Sequence, residues 1–96
     1  MTVHELLKRK REDILRVASK HGVTRIRIFG SAARGESRED SDIDFLIEVN
    51  GPTTPWFPGS LVADLEKLLG RRVDVVEPDA IRKPLRERIL QEAVPL

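Results

Sequence analysis

The sequence predicts a small mixed domain in which helices alternate with three strands. Three segments alternate apolar and polar residues with period two, and the stretches around them repeat apolar residues at helical spacing between capping residues and glycines. At 96 residues, a chain buries roughly 60–65% of its unfolded surface, so one core and one domain covering residues 1–96 are expected. Apolar residues make up 40% and charged residues 34%, too hydrophobic and too even in sign for a disordered tail.

Thr2 and Glu5 have capping-box spacing, and Val3, Leu6, Leu7, Ile14, Val17 and Ala18 recur at helical intervals until Gly22. The charge run "KRKRED" inside this helix reads as its solvated face. "TRIRIF" is the first strand, with Ile26 and Ile28 on one face and Arg25 and Arg27 on the other. "GSAARG" then turns into a short helix. "DIDFLIEV" is the second strand, aiming Ile43, Phe45, Ile47 and Val49 one way.

"NGPTTPWFPG" has three prolines and two glycines, which exclude regular structure, so it is a loop. Its adjacent aromatics, Trp56 and Phe57, are expected near the functional site, as a lid over the core. A helix follows with Ser60 as N-cap, Leu61, Leu65, Leu68 and Leu69 as its stripe and Gly70 as its stop. "RRVDVVEP" is the third strand, with Val73 and Val75 in phase and Asp74 out of phase. Pro84 fits the first turn of a last helix whose Leu85, Ile89 and Ala93 share a face. His4 and His21 fall at helix ends and read as polar surface residues.

Several function classes are disfavoured at once. The net charge of +1, from 17 basic and 16 acidic residues, gives no field that would attract nucleic acid. No cysteine is present, so a thiolate metal site is impossible and any metal must be held by oxygen or histidine. No apolar run approaches a signal peptide or the roughly 18 residues of a membrane span, and a cytoplasmic protein is expected.

The strand periodicity carries a functional reading. Asp42 and Asp44 point to one side of the second strand, and Asp74 points away from the core on the third, so three carboxylates share one surface. Like charges so placed repel unless a cation sits among them. Oxygen-only ligands favour Mg²⁺ or Mn²⁺, which completes its shell with water and substrate phosphates. Gly30 and Ser31, directly after a strand, offer exposed amides, close backbone approach and a hydroxyl to a phosphate. Arg34 and Arg38 could add charge neutralisation, but loop arginines are more often simply solvated. The joint pattern Gly-Ser, ten residues, Asp-x-Asp arises by accident on the order of once in a thousand such chains, which favours a functional origin.

"FGSAARGESREDSDID" together with Asp74 in "RRVDVV" and the closing "LRERILQEAVPL" resembles the minimal nucleotidyltransferases, the smallest members of the DNA polymerase β-like superfamily, over nearly the whole chain. The resemblance implies an α+β nucleotidyltransferase fold, with a mixed three-stranded sheet backed by helices. It implies transfer of AMP from ATP with release of pyrophosphate, and two Mg²⁺ ions (Mn²⁺ being the alternative) held by Asp42 and Asp44, with Asp74 on the catalytic ion. Gly30 and Ser31 match the phosphate-binding positions. The acceptor is expected from a separate protein, because the sheet and its helices occupy the whole chain. Resemblance names that protein as a HEPN-domain toxin, modified on a tyrosine hydroxyl within a hetero-oligomer in which this chain is the antitoxin. The competing expectation is a binding module that neutralises its partner by contact alone.

Overall fold

The Thr2 hydroxyl accepts the Glu5 amide at 3.1 Å and so starts helix α1, Val3–Lys20, as the sequence predicts. The computed structural model describes residues 2–96. Helix α1 buries Val3, Leu7, Ile14 and Ala18 and leaves Lys8, Arg9, Arg11 and Glu12 exposed. It ends at His21, and Gly22 follows with φ +80, a left-handed conformation that glycine adopts without strain.

Strand β1 (Val23–Phe29) runs into the short helix α2 (Gly30–Arg34), and β2 (Ile43–Val49) returns antiparallel to β1. Helix α3 (Gly59–Leu69) then carries the chain over to β3 (Val73–Val76), which lies parallel to β2. A 3-10 turn over Pro78–Ala80 leads to helix α4 (Lys83–Glu92), and β4 (Val94–Pro95) closes against β1. Among the described residues the sheet therefore has four strands, in the order β3-β2-β1-β4, rather than three. The added strand is two residues long and contains Pro95, too short for an alternating pattern and tolerable only at an edge.

Two apolar clusters flank this sheet, where one core was expected. Helices α1 and α3 pack Leu7, Ile14, Ala18, Leu61, Leu65 and Leu69 onto Ile26, Ile28, Ile43, Phe45 and Ile47. On the other face, Ile81 and Ile89 cover Phe29 and Leu46. The second cluster has two consequences that the sequence did not show. Arg27 lies on the face opposite Ile26 and Ile28, as the alternation predicts, but shares that face with Phe29 and is buried there. Leu85 remains 53% exposed because Ile81, from the segment before α4, joins Ile89 against the sheet instead.

Two further expectations need correcting. Ser60 does not cap α3, which starts one residue earlier with Pro58 at the cap position. Its hydroxyl lies 3.4 Å from His21 Nδ1, while His21 Nε2 meets Asp64 Oδ2 at 2.7 Å. The His21 side chain is only 13% exposed, so it is a tie between α1 and α3 and not a surface residue. Its hydrogen bond also draws the Asp64 carboxyl below its ordinary pKa. No helix among the described residues is long and apolar enough to cross a membrane.

The buried Arg27 invites a stability test. Its Nη2 reaches Glu48 Oε2 at 3.2 Å, but its Nε is buried without a partner. Glu48 is half exposed and can be solvated alone. Replacing a buried, half-satisfied ion by an apolar side chain is often neutral or stabilising. Arg27→Met is expected to leave the unfolding free energy within about 1 kcal/mol of wild type or raise it, whereas Phe45→Ala should lower it by about 3–5 kcal/mol. Urea unfolding of both variants checks this, and a loss above about 2 kcal/mol for Arg27→Met would show that the ion pair stabilises the fold.

Candidate active site

Strand pairing alone assembles the site. Because β1 and β2 are antiparallel, the end of β1 lies beside the head of β2, and Phe29 pairs with Asp44. Because β2 and β3 are parallel, the head of β3 lies on the other side, and Asp44 pairs with Asp74. Directly paired residues on neighbouring strands have side chains about 5 Å apart on the same face. Asp44 and Asp74 are therefore neighbours, with Asp44 half-buried and Asp74 exposed outside both apolar clusters. Asp42 immediately precedes β2 and is also exposed.

The surroundings of Asp44 work against its charge. Burial raises its pKa most, the carboxylates of Asp74 and Asp42 raise it further, and Arg34 opposes them. Gly30 is forced by the same side chain. Its φ is +69, and an added Cβ would collide with Asp44 Oδ2 and stand 3.3 Å from Asp44 Cγ. Glycine at this turn thus makes room for a carboxylate, a role the sequence did not reveal beside the expected approach of a phosphate. Gly30 and Ser31 open α2, whose first amides have no helical acceptors.

The arginines are less free than expected. Arg34 is ion-paired to Glu36 at 3.0 Å and to Glu92, while Arg38 is exposed. Two neighbours of the site escaped the sequence reading. Arg72 Nε lies 3.5 Å from Asp42 Oδ1, and Arg71 donates to the loop before Asp42. Both sit in an unremarkable "RR" before β3, and only the parallel pairing of β3 with β2 brings them to this loop. Trp56 and Phe57 are not near the site. Their loop follows the far end of β2; Phe57 packs on the α1–α3 cluster and Trp56 is 77% exposed.

The donor set suits a hard divalent cation, being oxygen-only and mutually repelling at Asp44. In this arrangement no three His, Asp or Glu side chains among the described residues stand together as metal ligands. Asp42 leans instead towards Arg72 through a long contact between two exposed groups. Such a pair is worth about 0–1 kcal/mol, so turning Asp42 towards Asp44 costs little.

These features give opposite effects on fold and site. The folded pKa of Asp44 is raised, so its protonated form favours the fold at low pH, and that contribution is lost as pH rises through the raised value. At pH 7 without divalent cations, Asp44→Asn is expected to melt at or above the wild-type temperature. The difference should shrink as pH falls from the raised value towards the ordinary aspartate value of 3.8 and be absent below it. Gly30→Ala should cost about 1–3 kcal/mol through its backbone conformation and the collision. Calorimetry on both variants, with a pH series for Asp44→Asn, decides; a clear melting loss for Asp44→Asn would contradict the electrostatic account.

Known proteins share this fold and much of this sequence. The family model described as "Nucleotidyltransferase domain" matches residues 9–96. MJ0435 of Methanocaldococcus jannaschii, named a candidate protein adenylyltransferase, is 44% identical over 94 residues, covering 98% of this chain and 97% of its own length. MntA of Thermococcus cleftensis, named a protein adenylyltransferase, is 37% identical over 75 residues, covering 78% of this chain and 76% of its own length. A solved structure of a candidate minimal nucleotidyltransferase superposes at a TM-score of 0.88 with 45% identity, covering 100% of this chain and 97% of that one. A toxin–antitoxin crystal structure with AMP-PNP shares the fold at a TM-score of 0.75 and 20% identity, over 88% of this chain and 69% of that one. With matches of this extent, the chain belongs to the nucleotidyltransferase-domain family and is an enzyme of the nucleotidyltransferase type.

Proposed function

We propose that this chain transfers AMP from ATP to a hydroxyl, the tyrosine of a HEPN-domain toxin, and thereby acts as that toxin's antitoxin. The observation that carries the reading is the Asp44–Asp74 pair standing across β2 and β3 with the Gly30–Ser31 turn packed directly against Asp44. The names of the 44% and 37% identical relatives support adenylyl transfer to a protein. A toxin–antitoxin assembly with AMP-PNP on the same fold supports a toxin partner. Residues 1–96 act as one catalytic domain, in the cytoplasm where ATP is supplied.

In this reading Asp42, Asp44 and Asp74 would hold Mg²⁺, two ions in the full site with Mn²⁺ as a substitute, which would supply neutralisation of the triphosphate and of the departing pyrophosphate. The amides of Gly30 and Ser31 and the Ser31 hydroxyl receive phosphate oxygens. The acceptor oxygen bonds to the α-phosphorus, the bond from that phosphorus to the oxygen leading to the β-phosphate breaks, and pyrophosphate leaves. Asp74, the exposed member of the pair, is our candidate for taking up the hydroxyl proton. A tyrosine hydroxyl with a pKa near 10 needs such assistance to attack.

Intact mass of the HEPN toxin after incubation with this chain, ATP and Mg²⁺ tests the proposal. A gain of whole AMP units is expected, at least about 10²-fold slower with Asp44→Asn. Unmodified toxin with the wild-type chain would refute transfer to this partner. Protection of cells by both Asp42→Asn and Asp44→Asn would establish neutralisation by contact instead.

A further inference from the structure

We infer that Arg71 is a positioning residue for nucleotidyl transfer: its guanidinium fixes the loop that presents Asp42 to the Asp44–Asp74 pair. This rests on the proposed role of Asp42 in holding the cation.

The loop from Gly35 to Asp42 reads Gly-Glu-Ser-Arg-Glu-Asp-Ser-Asp and contains no apolar side chain. Burial therefore cannot anchor it, and polar ties must. The loop makes a turn of its own, in which the Ser41 amide bonds to the Arg38 carbonyl at 3.0 Å and the Arg38 amide bonds to the Ser41 hydroxyl at 3.0 Å. Arg71 Nη2 binds both ends of that turn. It donates to the Ser41 carbonyl at 2.7 Å, to the Ser37 hydroxyl at 3.3 Å and to the Arg38 carbonyl.

The Ser41 carbonyl belongs to the peptide unit that continues into Asp42, so this bond sets the plane from which the Asp42 side chain departs. On the other side of Asp42, the Ile43 amide donates to the Arg72 carbonyl at 3.0 Å. Consecutive residues of one segment thus hold the chain before and after Asp42. That segment is itself rigid. Gly70 closes α3 through a 2.8 Å bond to the Glu66 carbonyl, and the Val73 amide donates to Glu66 Oε2 at 3.0 Å. The Glu36 amide ties the start of the loop to the Ser31 carbonyl at 2.9 Å, and Arg71 transmits the fixed position of the α3–β3 junction to the stretch from Ser37 to Ser41.

All three contacts converge on a single nitrogen, while Arg71 Nε is buried without a partner. The flat fork of the guanidinium is therefore not what the loop uses. A lysine ammonium, with three donors on one atom and a stem one bond shorter, can replace part of the function. A residue that merely filled space would show no such preference for charge.

The test uses the full chain, with Mn²⁺ binding followed by electron paramagnetic resonance beside a non-hydrolysable ATP analogue, hydrogen exchange of residues 36–42, and steady-state transfer. Loss of a group that orients a metal ligand typically costs 10–100-fold, so Arg71→Ala is expected to weaken Mn²⁺ binding about tenfold and lower kcat about 10–100-fold. The KM for ATP should stay within about threefold, because the phosphate contacts at Gly30 and Ser31 are untouched. Exchange should quicken in residues 36–42 and stay unchanged in β1 and β2, and Arg71→Lys should recover a substantial part of both losses. Should Arg71→Ala fail to fold, Arg71→Lys and Ser37→Ala decide, with smaller shifts in the same direction expected from each. Wild-type Mn²⁺ affinity and kcat in the folded variants overturn the positioning role while leaving the catalytic reading intact. Absence of Mn²⁺ binding by the wild-type chain removes the catalytic reading and the positioning role with it.

Discussion

The carboxylate of Asp44 is the constraint around which this small fold is arranged. It lies on the one strand paired on one side to the end of β1 and on the other to the head of β3. Its pairing partners are therefore a strand end that turns at once into α2 and another aspartate. Burial and two like charges oppose its ionisation, and a glycine in a left-handed turn is required to leave it space. A chain that needed only stability would avoid all three features. They are tolerable because the rest of β2 is secured by Phe45, Leu46 and Ile47, each almost wholly buried between the two apolar clusters.

The same strand geometry divides the molecule into two ends. The heads of β2 and β3 and the end of β1 gather the acidic side chains and the Gly30–Ser31 turn. At the opposite end, the His21–Asp64 bond ties α1 to α3, and the Asn50 amide reaches the Gly22 carbonyl. The proline-rich loop belongs to this second end, so its exposed Trp56 is remote from the carboxylates. Because β2 spans seven residues, at about 3.3 Å each, these ends lie about 20 Å apart. Chemistry at one end leaves the other free of its steric demands.

What could be read in the sequence follows from the range of the forces involved. Period-two alternation is local, so Asp42, Asp44 and Asp74 and the apolar face opposite them were legible, as was the Thr2 cap. The strand β4 was not, because two residues carry no period and its pairing with β1 spans most of the chain. The burial of Arg27 was hidden for a related reason. Alternation told which face it occupies but not that Ile81 and Ile89 would cover that face. His21, Ser60 and Asp64 are each ordinary helix-terminal or helical polar residues, and their bond network exists only because α1 and α3 pack side by side. The tie from Arg71 to Ser41 likewise depends on β2 and β3 being neighbours, a fact of topology that no residue near it announces.

Charge accounting explains why an external cation belongs at this site on the proposed reading. Although the chain carries 17 basic residues, those around the carboxylates are already committed. Arg34 is held by Glu36 and Glu92, Arg72 contacts Asp42, and Arg71 is engaged by backbone carbonyls and a serine. Of these, only Arg34 offsets the charge on Asp44, and Glu92 beside it works in the opposite sense. A net charge near zero therefore conceals a local excess of negative charge that the chain does not neutralise from its own side chains. An incoming triphosphate adds charge of the same sign, so phosphate and carboxylates can approach only when a divalent ion lies between them. Arg34 and Arg71, which could have replaced that ion, instead hold the helices and the loop in place, and Arg72 reaches Asp42 only through a long surface contact, so on this reading the carboxylates stay available to a metal.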